Sequence, residues 1–379
     1  MDLSHYFEAY HSDEKLLSSA NELMSSYVDF FDKNFEGDIA TYDVYIVGVP
    51  EGRLALKNET CAFAPHEIRS SLYQLYQGDW SLKVLDLGDL KLGHNVEDTY
   101  VALEEIVSSL IKDNKIVLVL GGGHDLIIPI YKGHCALGAP LNFASADAYL
   151  DFQDGDEYHS KSFLSKLLAS KESLLSKYTL MGYQSYLCSP KEVTLLEQMD
   201  FNLVRLGELN ADVKEMEPYI RDVDHLSVDA SVVKSCELPA NSHSSPNGIS
   251  AESLCAIMRY AGMSHRLKSV LFSELNPRLD KNNQSSKVYA QAIWYFIEGL
   301  HLRNDDFPDE KLKNFKRFHV NSELSELLFY KSIASERWWV ELPISIDGAK
   351  RNLLPCSFID YNKAVAGVLS KRLHRLLRF

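Results

Sequence analysis

The side chains best suited to chemistry stand at the ends of three apolar runs. Lys115–Asp125, KIVLVLGGGHD, carries β-branched and leucine residues into three glycines, a histidine and an aspartate. The glycines permit a tight turn that presents His124. Asp147-Ala148-Tyr149-Leu150-Asp151 closes a second run. If the chain stays extended there, its period of two sends Asp147, Tyr149 and Asp151 to one side. Asp229-Ala230-Ser231 closes a third, and the same rule pairs Asp229 with Ser231. An imidazole and three carboxylates at neighbouring strand ends make a hard-ligand set suited to Mn²⁺ or a similar divalent ion. Each acid alone is better explained as a turn former or loop cap. Together, three buried carboxylates without a cation would repel and be partly protonated.

The elements that must position these residues alternate strand and helix. Strands are expected at Tyr42–Val49, Leu82–Leu87, Lys115–Leu120, Leu141–Ser145, Tyr178–Met181, Phe201–Leu206, His225–Val228 and Ser269–Leu275. Between them, Glu97–Asp113 puts Leu103, Ile106, Val107, Leu110 and Ile111 on one helical face. Further helices are expected at 68–76, 162–174, 190–199, 212–223, 251–261 and 287–300. Near-continuous apolar strands are buried on both faces, as in a parallel sheet. The pattern predicts an α/β fold over 41–300, a single three-layer α/β/α domain with a mostly parallel sheet. In such a sheet ligands bind beyond the carboxyl ends of the strands, where all three polar turns fall. Residues 1–40 read as a helical extension, with Leu16, Leu17, Leu23, Met24, Val28 and Phe31 at helical spacing. Residues 301–379 read as an appendage packed on the main domain, with one strand at RWWVELPI and a last helix over Asp360–Leu377. Trp338 and Trp339 are core or interface anchors in that reading.

The chain has 379 residues and a formal net charge of −14, which argues against binding nucleic acid through its general surface. Leu369–Phe379, LSKRLHRLLRF, runs against that trend as a basic amphipathic end, either docked by its leucines or presented to a partner or membrane surface. Six scattered cysteines without a CxxC pair suit reduced thiols and a cytoplasmic protein. No apolar stretch is long enough to span a membrane. There is no P-loop, GxGxxG or GxSxG motif.

The turn GGGHD, the D-A-x-x-D and S-x-D strand ends, and Ser273-Glu274-Leu275-Asn276-Pro277 together resemble the arginase–agmatinase–formimidoylglutamase (ureohydrolase) family. Val47-Gly48-Val49-Pro50, Ala64-Pro65 with Ile68-Arg69, and Leu85-Asp86-Leu87-Gly88-Asp89 extend the likeness upstream, so that it covers about 40–300 and is nearest to formimidoylglutamase-like members. The resemblance implies cleavage of an amidine or guanidine C–N bond by hydroxide bridging two Mn²⁺ ions. It implies a first metal held by His124, Asp147, Asp151 and Asp229, and Glu274 pairing with the substrate cation. His159 falls near a proton-shuttling histidine of arginases, and family members assemble as homo-oligomers. The second metal would need a histidine where this chain has Tyr149 and an aspartate where it has Ser231; a further aspartate is replaced by Lys234.

Two functions follow. One is a non-catalytic relative, kept as a scaffold or for binding a protein partner through 301–379. The other is a hydrolase of a small amidine or guanidine, such as formimidoyl-glutamate, using one divalent ion. In either case the vacated space is expected to be filled by Tyr149 or Lys234 hydrogen bonding to Asp147 or Asp229.

Overall fold

The computed structural model describes residues 3–11, 22–153, 158–170, 173–304, 306–308, 312–321, 326–342 and 353–376. Ten strands form the main sheet: β1 (Phe7–Glu8), β2 (Asp29–Phe30), β3 (Val44–Val49), β4 (Val84–Leu90), β5 (Ile116–Gly121), β6 (Leu141–Ala146), β7 (Leu175–Tyr183), β8 (Asn202–Arg205), β9 (His225–Asp229) and β10 (Ser269–Ser273). Their order is β1-β4-β3-β5-β10-β9-β6-β7-β8, with β2 also pairing to β4. All neighbours are parallel except β1 with β4.

The predicted three-layer architecture is observed. Two apolar clusters lie on opposite faces of the sheet. One includes the helices Ala64–Leu72, Ala251–Met263 and Gln284–His301, the other Val96–Lys112, Ile127–Cys135 and Phe163–Ala169. Strands β3, β5, β6, β9 and β10 are buried at every residue, which is why β3 and β5 read as near-continuous apolar runs, while the polar residues of β6 and β9 are buried in the interior. After β5 the chain leaves room for two strands before laying down β6, and β9 and β10 later fill it. Four adjacent carboxyl ends, those of β5, β10, β9 and β6, therefore face one crevice.

Several expectations need correction. The helix Ile127–Cys135 has no counterpart in the sequence reading, because Ile127 through Tyr131 are all buried and leave no polar face to mark its period. The helix expected at 212–223 is a 3₁₀ turn at Val213–Met216 and a short helix at Glu217–Ile220, and it is preceded by an unexpected helix at Leu206–Ala211. In the N-terminal segment, Leu16 and Leu17 lie outside the described residues. Around them the described chain supplies the edge strands β1 and β2 and only a short helix, Met24–Tyr27.

Beyond 301 the chain forms more strand than expected, a four-stranded antiparallel sheet of β11 (Phe315–Asn321), β12 (Glu326–Ser332), β13 (Trp338–Glu341) and β14 (Leu353–Cys356). The expected last helix is two, Phe358–Val365 and Lys371–Leu376, separated at Gly367 with φ +77°. This sheet contacts the body through buried ion pairs and an aromatic. Arg221 Nη1 donates to Trp338 O at 2.7 Å and lies over the Trp339 ring at 4.6 Å, while Arg337 Nε is 3.2 Å from Glu217 Oε1. Both tryptophans are buried. In the basic end, Leu373 is buried, Arg372 reaches Glu215 O, and Arg375 reaches Phe201 O, so its described cations are engaged by the body. Arg378 lies outside the described residues.

Candidate metal centre

His124 is fixed by backbone. Gly122 N donates to Val49 O and Gly123 N to Glu51 O, drawing the turn after β5 against the turn after β3. A side chain at Gly122 would place its Cβ 1.6 Å from Glu51 O, so only glycine allows this approach. The turn aims the ring into the crevice, where Nε2 lies 2.8 Å from Ser227 Oγ and Nδ1 faces three carboxylates. Those distances are 2.9 Å to Asp151 Oδ2, 3.3 Å to Asp147 Oδ2 and 3.5 Å to Asp229 Oδ2.

The aspartates arrive by turning, not by the extended backbone expected. Tyr149 N donates to Asp147 Oδ1 at 2.9 Å, an Asx turn, and Asp151 adopts φ +49°. Likewise Ser231 N donates to Asp229 Oδ1 at 2.7 Å as Asp229 caps a 3₁₀ turn. One donor atom from each of His124, Asp147, Asp151 and Asp229 lies within 4.8 Å of the others. The four predicted ligands are thus brought together.

Glu274 joins from the end of β10, with φ +61°. Its Oε1 accepts from His124 N at 2.9 Å and its Oε2 from Asn58 Nδ2 at 2.7 Å. Asn58 gave no signal in the sequence, yet it ties Glu274 to Asn276 and Ser242. His159 caps a turn, with Nδ1 accepting from Lys161 N at 3.2 Å.

A second residue that sequence reasoning missed is Lys161. Its side chain is buried, with Nζ 3.3 Å from Asp151 Oδ1 and 3.4 Å from Asp229 Oδ2. Nζ also stands 4.6 Å from the centre of the Tyr149 ring. Lysines are almost never fully buried without partners, so neither its type nor its position in YHSKSF marks it. The expectation for Tyr149 and Lys234 is overturned accordingly. Tyr149 OH reaches His243 O at 3.4 Å, and Lys234 pairs with Glu237 at 2.8 Å on the surface. Ser231 Oγ, instead, donates to Asp147 Oδ1 at 2.9 Å.

Burial sets the electrostatics. It opposes charge on Lys161 and His124, but the aspartates outweigh it and hold both well above their ordinary pKa. Burial together with Asp151 and Asp229 pushes Asp147 up to about 7. Burial would raise Asp229 as well, but Lys161 and His124 bring it below the carboxylate range. Glu274 is raised by burial and by Asp229. Among the described residues, Asp147 Oδ2 has no hydrogen-bond partner, and Asp151 Oδ1 has only the ammonium, outside hydrogen-bonding geometry. Two such oxygens and an imidazole nitrogen whose ring partner Ser227 fixes its orientation are the donor types a divalent cation takes, but the Lys161 ammonium already lies against Asp151 and Asp229.

A mostly parallel sheet with a His–Asp cluster at its carboxyl ends is an α/β framework whose crevice can gather metal-ligating side chains. The profile described as the arginase family matches residues 42–298, and the chain belongs to that family. It is similar to the formimidoylglutamase of Lysinibacillus sphaericus, 22% identical over 264 residues covering 66% of this chain and 80% of that one. The formimidoylglutamase of Corynebacterium efficiens is 26% identical over 238 residues, 58% of this chain and 71% of the relative. Among solved structures, Trypanosoma cruzi formiminoglutamase with Mn²⁺ superposes with a TM-score of 0.64 at 21% identity, over 69% of this chain and 95% of that one. Formimidoylglutamase from Bacillus subtilis gives 0.67 at 18% identity, over 78% and 95%. The chain is an arginase-fold, formimidoylglutamase-like protein, and no helix among the described residues is long and apolar enough to cross a membrane.

Proposed function

We propose that this chain is a non-catalytic ureohydrolase relative that binds a protein partner through residues 301–379. One observation carries the reading: the two positions that would complete a second ion site are a serine hydroxyl tied to Asp147 and a phenol whose hydroxyl turns to His243 O. A hydroxyl and a phenol are weak ligands for a hard divalent ion beside carboxylate and imidazole. Burial supports the same reading, since His124, Asp147, Asp151, Asp229 and Glu274 each expose 3% or less. On the C-terminal part, Ile333, Phe358, Val365 and Val368 are exposed, which suits contact with another protein. All six cysteines are free, in keeping with a cytoplasmic setting.

A second reading is favoured by Glu274, which keeps a buried carboxylate beside His124. In it, one divalent ion is held by His124, Asp147, Asp151 and Asp229, supplying Lewis-acid polarisation, and the substrate is a small linear amidine or guanidine. Glu274 would then hold the substrate's cationic group by charge-assisted hydrogen bonds. Its donors from His124 N and Asn58 would leave only the remaining lone pairs for that purpose.

Ammonia, formamide and urea release from a panel of amidines and guanidines separates the two, with a formimidoylglutamase assayed alongside. The expected result is no turnover above the uncatalysed rate, whether or not Mn²⁺ is added. Turnover within about tenfold of the reference enzyme, some 1.4 kcal/mol of barrier, would overturn the non-catalytic reading.

A further inference from the structure

Lys161 sits where a pocket of carboxylates most needs charge. Its ammonium bridges Asp151 and Asp229, two of the three aspartates that face His124. The stem is held on both sides. Lys161 N donates to His159 Nδ1, Lys161 O accepts from Gln153 N at 3.0 Å, and the neighbouring Ser160 N donates to Leu54 O at 2.9 Å. Tyr149 lays its ring against Nζ, a face that stabilises an ammonium and offers a metal ion little. Ser231 Oγ and Tyr149 N satisfy Asp147 Oδ1 with neutral donors, so the ammonium lies against the other two aspartates. A divalent ion entering this pocket would meet a fixed ammonium paired to two of its ligands, at a separation where like charges repel strongly in a buried setting.

Resting on the non-catalytic reading and deepening it, we propose that Lys161 is the resident cation of this pocket. Its ammonium takes the place of a bound metal between Asp151 and Asp229, so the chain folds and persists without a divalent ion. Removing that ammonium converts the pocket into a metal site.

The test uses the full chain, stripped with a chelator, with bound metal measured after Mn²⁺ addition and desalting and with Tm recorded in chelator and in Mn²⁺. Wild type is expected to retain no Mn²⁺ and to melt at the same temperature in both. Lys161→Met is expected to melt lower in chelator, to retain one Mn²⁺ per chain, and to regain a few degrees of Tm when Mn²⁺ is present. Stoichiometric Mn²⁺ in wild type would overturn the proposal, as would a Lys161→Met chain indifferent to both chelator and Mn²⁺. If Lys161→Met does not fold in chelator, refolding with Mn²⁺ decides: recovery supports the proposal and no recovery overturns it. The two readings fail separately. Mn²⁺ held by wild type without turnover sinks the resident cation alone, and amidine turnover by metal-free wild type sinks the non-catalytic reading alone.

Discussion

Strands β9 and β10 carry two buried polar clusters, one at each end, and their histidines behave oppositely. At the carboxyl ends, His124 lies among Asp147, Asp151 and Asp229 and is held well above its ordinary pKa even though burial pulls it down. At the amino ends, paired His225 and Ser269 meet His134, with Ser269 Oγ 2.7 Å from a ring nitrogen of each. There burial lowers His134 to about 3, helped by Lys268, and takes His225 well below the usual range, helped by His134 and His124. His225, Ser227 and Asp229 alternate along β9, so one face of one strand runs from a neutral cluster to a charged one. Depth is the same at both ends; partners decide the charge. A buried group stays ionised only where counter-charges outweigh its desolvation.

The sharpest way to break this contrast is to remove a counter-charge from the charged end. Asp229→Ala leaves Lys161 and His124 facing fewer acids in a dry pocket. Removing one partner of a buried pair costs about 3–5 kcal/mol. Urea unfolding should show a loss of that size with an unchanged m-value. A loss below about 1 kcal/mol, the scale of an exposed pair, would mean that water reaches the Lys161 ammonium and that the contrast between the ends is false.

The neutral end is tested by acid. His225 is neutral when folded and has a pKa of about 6.5 when unfolded. Below pH 6.5 the unfolded chain therefore binds more protons, and stability present above that pH is lost as pH falls toward the depressed folded value. At pH 4.5, two units below, one such histidine costs about 2.7 kcal/mol. Its nitrogen Nε2 has no hydrogen-bond partner among the described residues, so a proton there would be buried unpaired. His225→Gln should flatten the acid limb of a stability–pH curve by about one proton. An unchanged slope would show that His225 takes up its proton without unfolding.

Much of this was legible in the sequence. The inner strands were readable because they are short, mostly apolar runs closed by turns, whereas β1 and β2 are too short to show a period; the four residues His124, Asp147, Asp151 and Asp229 were readable because their types recur at those turns. Their means of arrival was not. Asp147 and Asp151 share a side through an Asx turn and a left-handed residue, which a period of two cannot express. The helix Ile127–Cys135 was lost for want of a polar face, and the C-terminal sheet because its strands pair by hairpins among charged residues. Lys161 was lost for a different reason. Its meaning lies in Asp229, sixty-eight positions away, and in a ring that a sequence reading treats as a failed ligand. What the sequence did contain was the demand: three buried acids call for a cation, and only the fold shows which residue answers.

Smaller effects sharpen the comparison. Ser269→Ala removes the hydroxyl shared by His134 and His225, leaving buried ring nitrogens without partners at a cost of about 1–3 kcal/mol. Because the cluster is neutral, that cost should be insensitive to salt, and a marked salt dependence in parallel urea titrations would show that charge is present there after all.

Tyr149→Phe should do least. The hydroxyl's contact with His243 O is long, 3.4 Å, and the phenol is only half buried, whereas the ring against Lys161 Nζ is retained in phenylalanine. The expected change is within about 0.5 kcal/mol, the range of substitutions away from critical contacts. Tyr149→Ala removes the ring as well and should cost about 1–2 kcal/mol more, the scale of a desolvated cation–π contact. If Phe proved as damaging as Ala, the hydroxyl and not the aromatic face would be what the pocket uses. Position 149 would then act as a polar ligand, and the charged end of β9 would have to be read as an ion site in waiting rather than as one already filled by Lys161.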